Sequence, residues 1–333
     1  MDLNSQTVLD IQVIQCNEVK GSTHMELEGL KRGLLKLKAE RLNIKSLITD
    51  RHVMVKKFMK GEEEIIHNFD VWHVAKGVSR KLEGLAKKKG AEAIKPWIKS
   101  VSTHLYWAAS TSANDGEMKL AKWQSLTRHI RNIHTHPSEK YPECRHGPLE
   151  DNQRNWMEEG SRPYKLLCSV VTSPFLMKDI EKLSPFHQTY GLEVYHNIVN
   201  HFAPKSTHFF FESMLARLYL AGLHYNENSR KPRDTTSDGR VRWQLCYPKA
   251  KKGLEAVVKP ISTGPSFGYV DLLIHNLVQR RKDLPSYQVA SEALSSYLSV
   301  PAPTTSGFVP VDKACLIERH KSRFSKTTNS NDV

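Results

Sequence analysis

Residues 44–73 read IKSLITDRHVMVKKFMKGEEEIIHNFDVWH, and their patterning decides how the chain is organised. Ile44, Leu47 and Ile48 form a short apolar run that stops at Thr49-Asp50. Arg51 to Met59 has helical spacing, and Ile65, Ile66 and Phe69 make a second short run that ends at Asp70. From Trp72 the apolar period lengthens. Val71, Val74, Val78, Leu82 and Leu85 line one side of a helix, with His73, Lys76 and Arg80 on another. The stretch predicts strand, helix, strand, helix, with an aspartate closing each strand.

Working back, Thr7 to Gln15 (TVLDIQVIQ) predicts an earlier strand from its β-branched content. Thr23 and Glu26 have the spacing of a capping box, ahead of a helix carrying Leu27, Leu30, Leu34 and Leu37. Working forward, residues 91–133 read as mainly helical, with Trp97, Tyr106, Trp107 and Trp123 inside them. Residues 134–156 are irregular, and helix returns over Tyr164 to Lys182. Ser184-Pro185 opens a loop into a helix containing Leu192-Glu193-Val194-Tyr195-His196-Asn197, and a further helix covers Phe209 to Tyr225. Val241 to Tyr247 predicts a strand. Beyond Pro285, Ser, Thr and Pro accumulate and periodicity fades, which predicts a disordered tail. Together these predict an α/β fold: a small core carrying a large, mainly helical insertion.

The formal net charge of +14 points to a polyanionic partner, because cations that meet phosphates release counterions. No apolar run is long enough to span a bilayer, and no basic amphipathic helix with an aromatic face competes for a membrane reading. The five cysteines (Cys16, Cys144, Cys168, Cys246, Cys315) are scattered and odd in number, which argues for a reducing compartment rather than a disulfide framework.

Ligand sites in open α/β sheets gather at the carboxyl ends of strands, where Asp50 and Asp70 fall. Glu193 shares the polar side of its helix with His196, Asn197 and Asn200, opposite Leu192, Tyr195, Val199 and Phe202. Hard carboxylate oxygens suit Mg or Mn, and paired ions of that kind promote phosphoryl transfer. Such a site needs about three carboxylates. An aspartate after a strand also serves as a helix N-cap, and a polar-face glutamate is often only solvated.

Three quoted segments, Ile48-Thr49-Asp50-Arg51-His52, then Phe69-Asp70-Val71-Trp72-His73-Val74-Ala75-Lys76, then Gly191-Leu192-Glu193-Val194-Tyr195-His196, resemble the DDE/D transposases of eukaryotic cut-and-paste DNA transposons. The likeness is to Kolobok-type transposases and host genes derived from them, over roughly residues 7–277. It implies an RNase H-like core with the insertion before the catalytic Glu. It implies Asp50 and Glu193 as catalytic, Mg- or Mn-binding acids, with Asp70, His73 and His196 in support. It implies DNA as partner, a nuclear location, and leaves a homo-oligomer open.

The sequence departs from the family at its start: no Asp-Gly-Arg segment bearing the first catalytic Asp precedes Met1, and Met1-Asp2-Leu3-Asn4 resembles the turn between the second and third core strands. The core is therefore expected to lack its first two strands and to be inactive alone. Asp2 and Asp10 are weak substitutes, Asp10 being expected to face outward from its strand. The implied division is a partial core over residues 1–73, the insertion over 74–185, the rest of the core over 186–285 and the tail over 286–333.

His129, His134, Cys144 and His146 surround a Pro-rich loop and have the residue types of a tetrahedral, structural zinc shell, with His136 as an alternative to His134. The resemblance includes a similar His…His…Cys-x-His pattern. A His-rich surface loop with a buried free cysteine is the competing reading, and a zinc-stabilised interaction scaffold built on the helical insertion is the alternative function that a zinc site would support. Lys76, Arg80, Lys249, Lys251 and Lys252 are candidate DNA contacts, as are the runs Lys87 to Lys89 and Arg280-Arg281-Lys282.

Overall fold

The computed structural model describes residues 1–147, 155–187, 189–248, 253, 255–296, 298–307 and 312–314. It is mixed α/β, with helices dominating two small sheets. Strands β1 (Ser46–Thr49) and β2 (Ile66–Phe69) pair in parallel, with Ser46 opposite Ile66 and Thr49 opposite Phe69. The register brings the two carboxyl ends level. The Asp70 N–H donates to the Thr49 carbonyl (2.9 Å), so Asp50 and Asp70 leave the sheet side by side.

Helix α1 (Ser22–Ala39) and the short α2 (Val53–Phe58) cover this pair. Leu34, Val55, Met59 and Ile65 form a small core there, with Leu30, Ile44, Leu47 and Phe58 against it. The expected capping box does not form. The α1 N-cap is Gly21, without a side-chain hydrogen bond, and Thr23 instead contacts the ring of His24. Starting the helix one residue before Thr23 takes that hydroxyl out of the capping position.

The far edge of β2 is closed by a single bridge to Leu183. The Phe69 N–H donates to the Lys182 carbonyl (2.7 Å), and the Ser184 N–H donates to the Phe69 carbonyl (2.9 Å). Between those points lie α3 (Val71–Ala86), α4 (Trp97–Ser110), α5 (Gly116–His129), α6 (Arg162–Val171) and α7 (Pro174–Ile180). The apolar stripe Val71, Val74, Val78 and Leu82 of α3 packs on α4 and α6. The largest core of the molecule runs from Phe69 to Leu183 and draws all its buried members from this span. Its two buried indoles have acceptors, Trp123 donating to the Val171 carbonyl (2.8 Å) and Trp97 to the Asn155 carbonyl (3.1 Å), whereas the buried Nε1 of Trp156, packed against the core, has none among the described residues.

A third group packs α8 (Tyr190–Phe202) on α9 (Phe211–Asn228) around Tyr195, Ala221 and Tyr225. The segment expected to be a strand, Thr7 to Gln15, runs extended across this group but joins no sheet. Among the described residues, the main chain of Leu9 to Ile14 makes no hydrogen bond. Side chains hold the segment instead. Asn226 both donates to the Val8 carbonyl and accepts from the Val8 N–H, while Val8 and Ile11 pack into the α8–α9 core. Gly222 permits this approach, since a Cβ there would stand 3.1 Å from Ile11 Cδ1. Asp10 was expected to face outward. It turns toward α1 and pairs with Lys36 at 2.8 Å, its side chain only 7% exposed. Asp2 closes a turn, accepting from the Asn4 and Ser5 N–H groups.

Strands β3 (Trp243–Cys246) and β4 (Val257–Pro260) form an antiparallel pair, followed by α10 (Gly268–Asp283). The region expected to be a disordered tail begins with a further helix, α11 (Tyr287–Ser295), whose N-cap Ser286 accepts from the Val289 N–H. Its N-cap serine and alternation of apolar and small residues suffice for a short helix despite the Ser-rich composition. Residues 297, 308–311 and 315–333 of the expected tail lie outside the described residues.

Candidate metal centre and the acidic strand ends

The ligand atoms of His129, His134, Cys144 and His146 lie within 4.8 Å of one another. Helix α5 ends on His129, and the chain then turns through Asn132, which adopts a left-handed conformation (φ 61°). A short antiparallel contact follows. Thr135 bridges Glu143, the Cys144 N–H donates to the His134 carbonyl (2.9 Å), and the His136 N–H donates to the Pro142 carbonyl. This pairing sets His134 and Cys144 across from each other. The Asn132 turn delivers both beside the end of α5.

The donor set fits a tetrahedral metal. Zinc–nitrogen bonds of about 2.1 Å and a zinc–sulfur bond of about 2.3 Å put ligand atoms roughly 3.4–3.6 Å apart. Cys144 Sγ and His129 Nδ1 are 3.5 Å apart. The Nε2 of His134 faces the Asn132 side-chain carbonyl at 2.8 Å, which assigns its proton there and leaves Nδ1, buried and without a partner, as a lone-pair donor. His146 mirrors this: Nδ1 faces the Gly147 carbonyl at 2.8 Å, leaving Nε2 for a metal. His136, the alternative ligand, is not in the group. It stacks on Tyr141 (centroids 5.4 Å apart, 12° between planes) and points Nε2 at the Cys144 sulfur, 3.2 Å away. Burial pushes the Cys144 thiol up, opposed by a hydrogen bond to Tyr141, so a cation is what would make the thiolate favourable here. Four protein ligands leave no position for a water, which makes the arrangement structural in kind.

The carboxylates form a different arrangement. Asp70 is 1% exposed. Its Oδ2 meets His73 Nδ1 at 2.7 Å and accepts from the Thr189 hydroxyl at 2.9 Å, while Oδ1 faces the Thr189 N–H at 3.4 Å. Thr189 is the N-cap position of α8, and its carbonyl accepts from the Glu193 N–H. One buried carboxylate thus ties the end of β2, the start of α3 and the first turn of α8. Gly191 sits in that turn because the N-terminal segment lies on it. A Cβ would stand 3.0 Å from Tyr225 Oη and collide with Gln6.

Asp50 is exposed and accepts from the His52 N–H at the mouth of α2 (3.1 Å). Glu193 and His196 are exposed on α8. Among the described residues, neither Asp50 nor Glu193 joins two further acid, histidine or cysteine ligands in a metal-sized group. No group of three such ligands for Mg or Mn is assembled at the strand ends among the described residues. Glu26 of α1, read from the sequence only as half of a capping box, has its carboxyl raised by burial and by the Asp50 charge, with His52 opposing. Asp179 was also missed. It is buried and pairs with Lys56 (2.6 Å) and Arg51 (3.3 Å), joining α7 to α2.

Of the candidate DNA contacts, Lys76 and Arg80 are exposed on α3, and Lys76 lies 4.0 Å from the centre of the Trp72 ring. Lys249, Lys251 and Lys252 lie outside the described residues. No helix among the described residues is long and apolar enough to cross a membrane.

Compared with protein-family models, curated proteins and solved structures, the chain matches none.

Proposed function

We propose that this chain is a transposase-like DNA-binding protein, related to enzymes of metal-dependent DNA strand cleavage and transfer, that does not itself cleave DNA. The observation that carries this reading is Asp70. It gathers at one sheet end the segments bearing Asp50 and Glu193, the two residues that resemble catalytic acids. That is the layout expected of an RNase H-like core with an inserted helical block. Among the described residues neither acid belongs to a group of three acid, histidine or cysteine ligands, which supports binding without chemistry. The net charge of +14 supplies the attraction for phosphates, and a nuclear location follows from the same reading.

The test is a duplex-binding and nicking assay on the full chain. Binding that weakens steeply with salt, with no nicking in Mn, is the expected result. Nicking that disappears in both Asp50→Ala and Glu193→Ala would overturn the non-cleaving reading. No binding at low salt would overturn the DNA reading. The His/Cys cluster favours a second reading, a zinc-stabilised interaction scaffold of the same ancestry, and that reading gains if DNA binding fails while the metal is present.

A further inference from the structure

A cavity of about 560 Å³ opens between α4, the end of α5 and the metal-binding loop. Its walls include the rings of Trp97, His104, Trp107 and Tyr141, and the side chains of Lys99 and Arg145 also line it. No carboxylate lines it among the described residues. Lys99 and Arg145 are exposed, whereas Trp97 and Tyr141 are buried, so the charge lies toward solvent and the rings lie deeper.

The His104 imidazole in the wall is already fixed. His104 Nε2 lies 2.6 Å from the Lys122 carbonyl, which assigns its proton there. Lys122 is held by Thr111 and stands 5.1 Å from the centre of the Trp107 ring. Trp107 meets Tyr141 edge to face with centroids 5.6 Å apart. Three of the metal-site residues, His129, Cys144 and His146, form one side, so a metal bound there would hold that wall in place.

Deep aromatic walls under a cationic mouth match one ligand class: a planar ring joined to an anion. We infer that this cavity takes a single unpaired nucleotide of a DNA strand, its base among the rings and its phosphate on Lys99 and Arg145. The inference rests on the DNA-binding reading and deepens it. Base–aromatic stacking is tolerant of sequence, which suits a cavity walled largely by aromatic rings. It also separates two jobs: exposed basic surface attracts any duplex, while this cavity selects DNA with a base out of the stack.

The experiment compares a fully paired duplex with one of equal length carrying a single unpaired thymine, using the full chain with its metal intact. The unpaired thymine is expected to tighten binding about ten-fold and to quench tryptophan fluorescence. Trp107→Ala and the Lys99→Ala/Arg145→Ala pair should each erase the difference, and Trp107→Phe should keep most of it. Should Trp107→Ala not fold, the surface pair decides alone. Equal binding of the two duplexes overturns the cavity assignment and leaves the DNA reading standing. Loss of binding to both overturns the two together. Displacement by thymidine monophosphate at the same concentration as the unpaired-thymine duplex overturns the strand-borne nucleotide in favour of a free one.

Discussion

At Asp70 the carboxylate has no water to fall back on, and its partners come from three elements. Replacing it with alanine leaves the Thr189 hydroxyl and His73 without their acceptor. A hydrogen bond to a charged group is worth about 1.5–3 kcal/mol, so Asp70→Ala should cost about 2–3 kcal/mol in urea unfolding. Thr189→Val should cost about 1 kcal/mol. A loss below 0.5 kcal/mol for Asp70→Ala, roughly the level of a surface change, would show that the carboxylate does not bind the three elements together. The Asp70-x-x-His73 spacing was readable in advance because the pair is local. Thr189 was not, since it stands 119 residues away and nothing in its own neighbourhood marks it. The four residues that could hold a metal were readable for the same reason as His73: all four fall in one short stretch. His136 was excluded only by the loop pairing that aims it at sulfur instead of into the shell. Metal analysis of the purified chain should find roughly one zinc per molecule, lost in Cys144→Ser. Unchanged zinc content in that variant would remove Cys144 from the shell.

Among the elements, β2 carries a titration that bears on stability. His67 lies beside Thr49 across the strand pair, and burial, then the charges of Lys182 and Lys56, bring its pKa down to about 4. Folded His67 is therefore neutral where the unfolded residue, near 6.5, takes up a proton. The unfolded state binds more protons between those values, so stability should fall as pH drops from about 6.5 toward 4. His104 on α4, also brought to about 4 mainly by burial, adds to the same fall. His67→Gln should flatten part of the slope in denaturant titrations across that range. An unchanged slope would mean that His67 does not titrate with unfolding. Helices α3, α8 and α9 were legible because burial of one face imposes the 3.6-residue period on the sequence. The strand β1 and its partner were legible as apolar runs between breaks. Leu9 to Ile14 was misread because β-branched composition reports an extended, half-buried backbone, and that backbone can lie on helices without pairing.

For the whole molecule, charge and fold class came from composition and element order, whereas the contacts between blocks came only from the structure. The main core takes every buried member from residues 69–183, which is what an independently folding unit requires. A fragment covering residues 69–187 is therefore expected to unfold cooperatively and to bind zinc. A fragment that shows no cooperative transition would mean that α2 and α8 are needed to complete it. The feature behind this is the bridge between Phe69 and Leu183. The chain departs and returns at one point of the sheet, so the block in between behaves as a cassette clipped at that bridge and braced by the Asp179 pairs with Lys56 and Arg51. Lengthening or exchanging it would leave the spacing of Asp50 and Glu193 untouched, provided that Asp70 keeps its grip on Thr189 and Asp179 its pairing with Lys56. Evolution could thus rebuild the metal loop and its cavity without disturbing the strand ends.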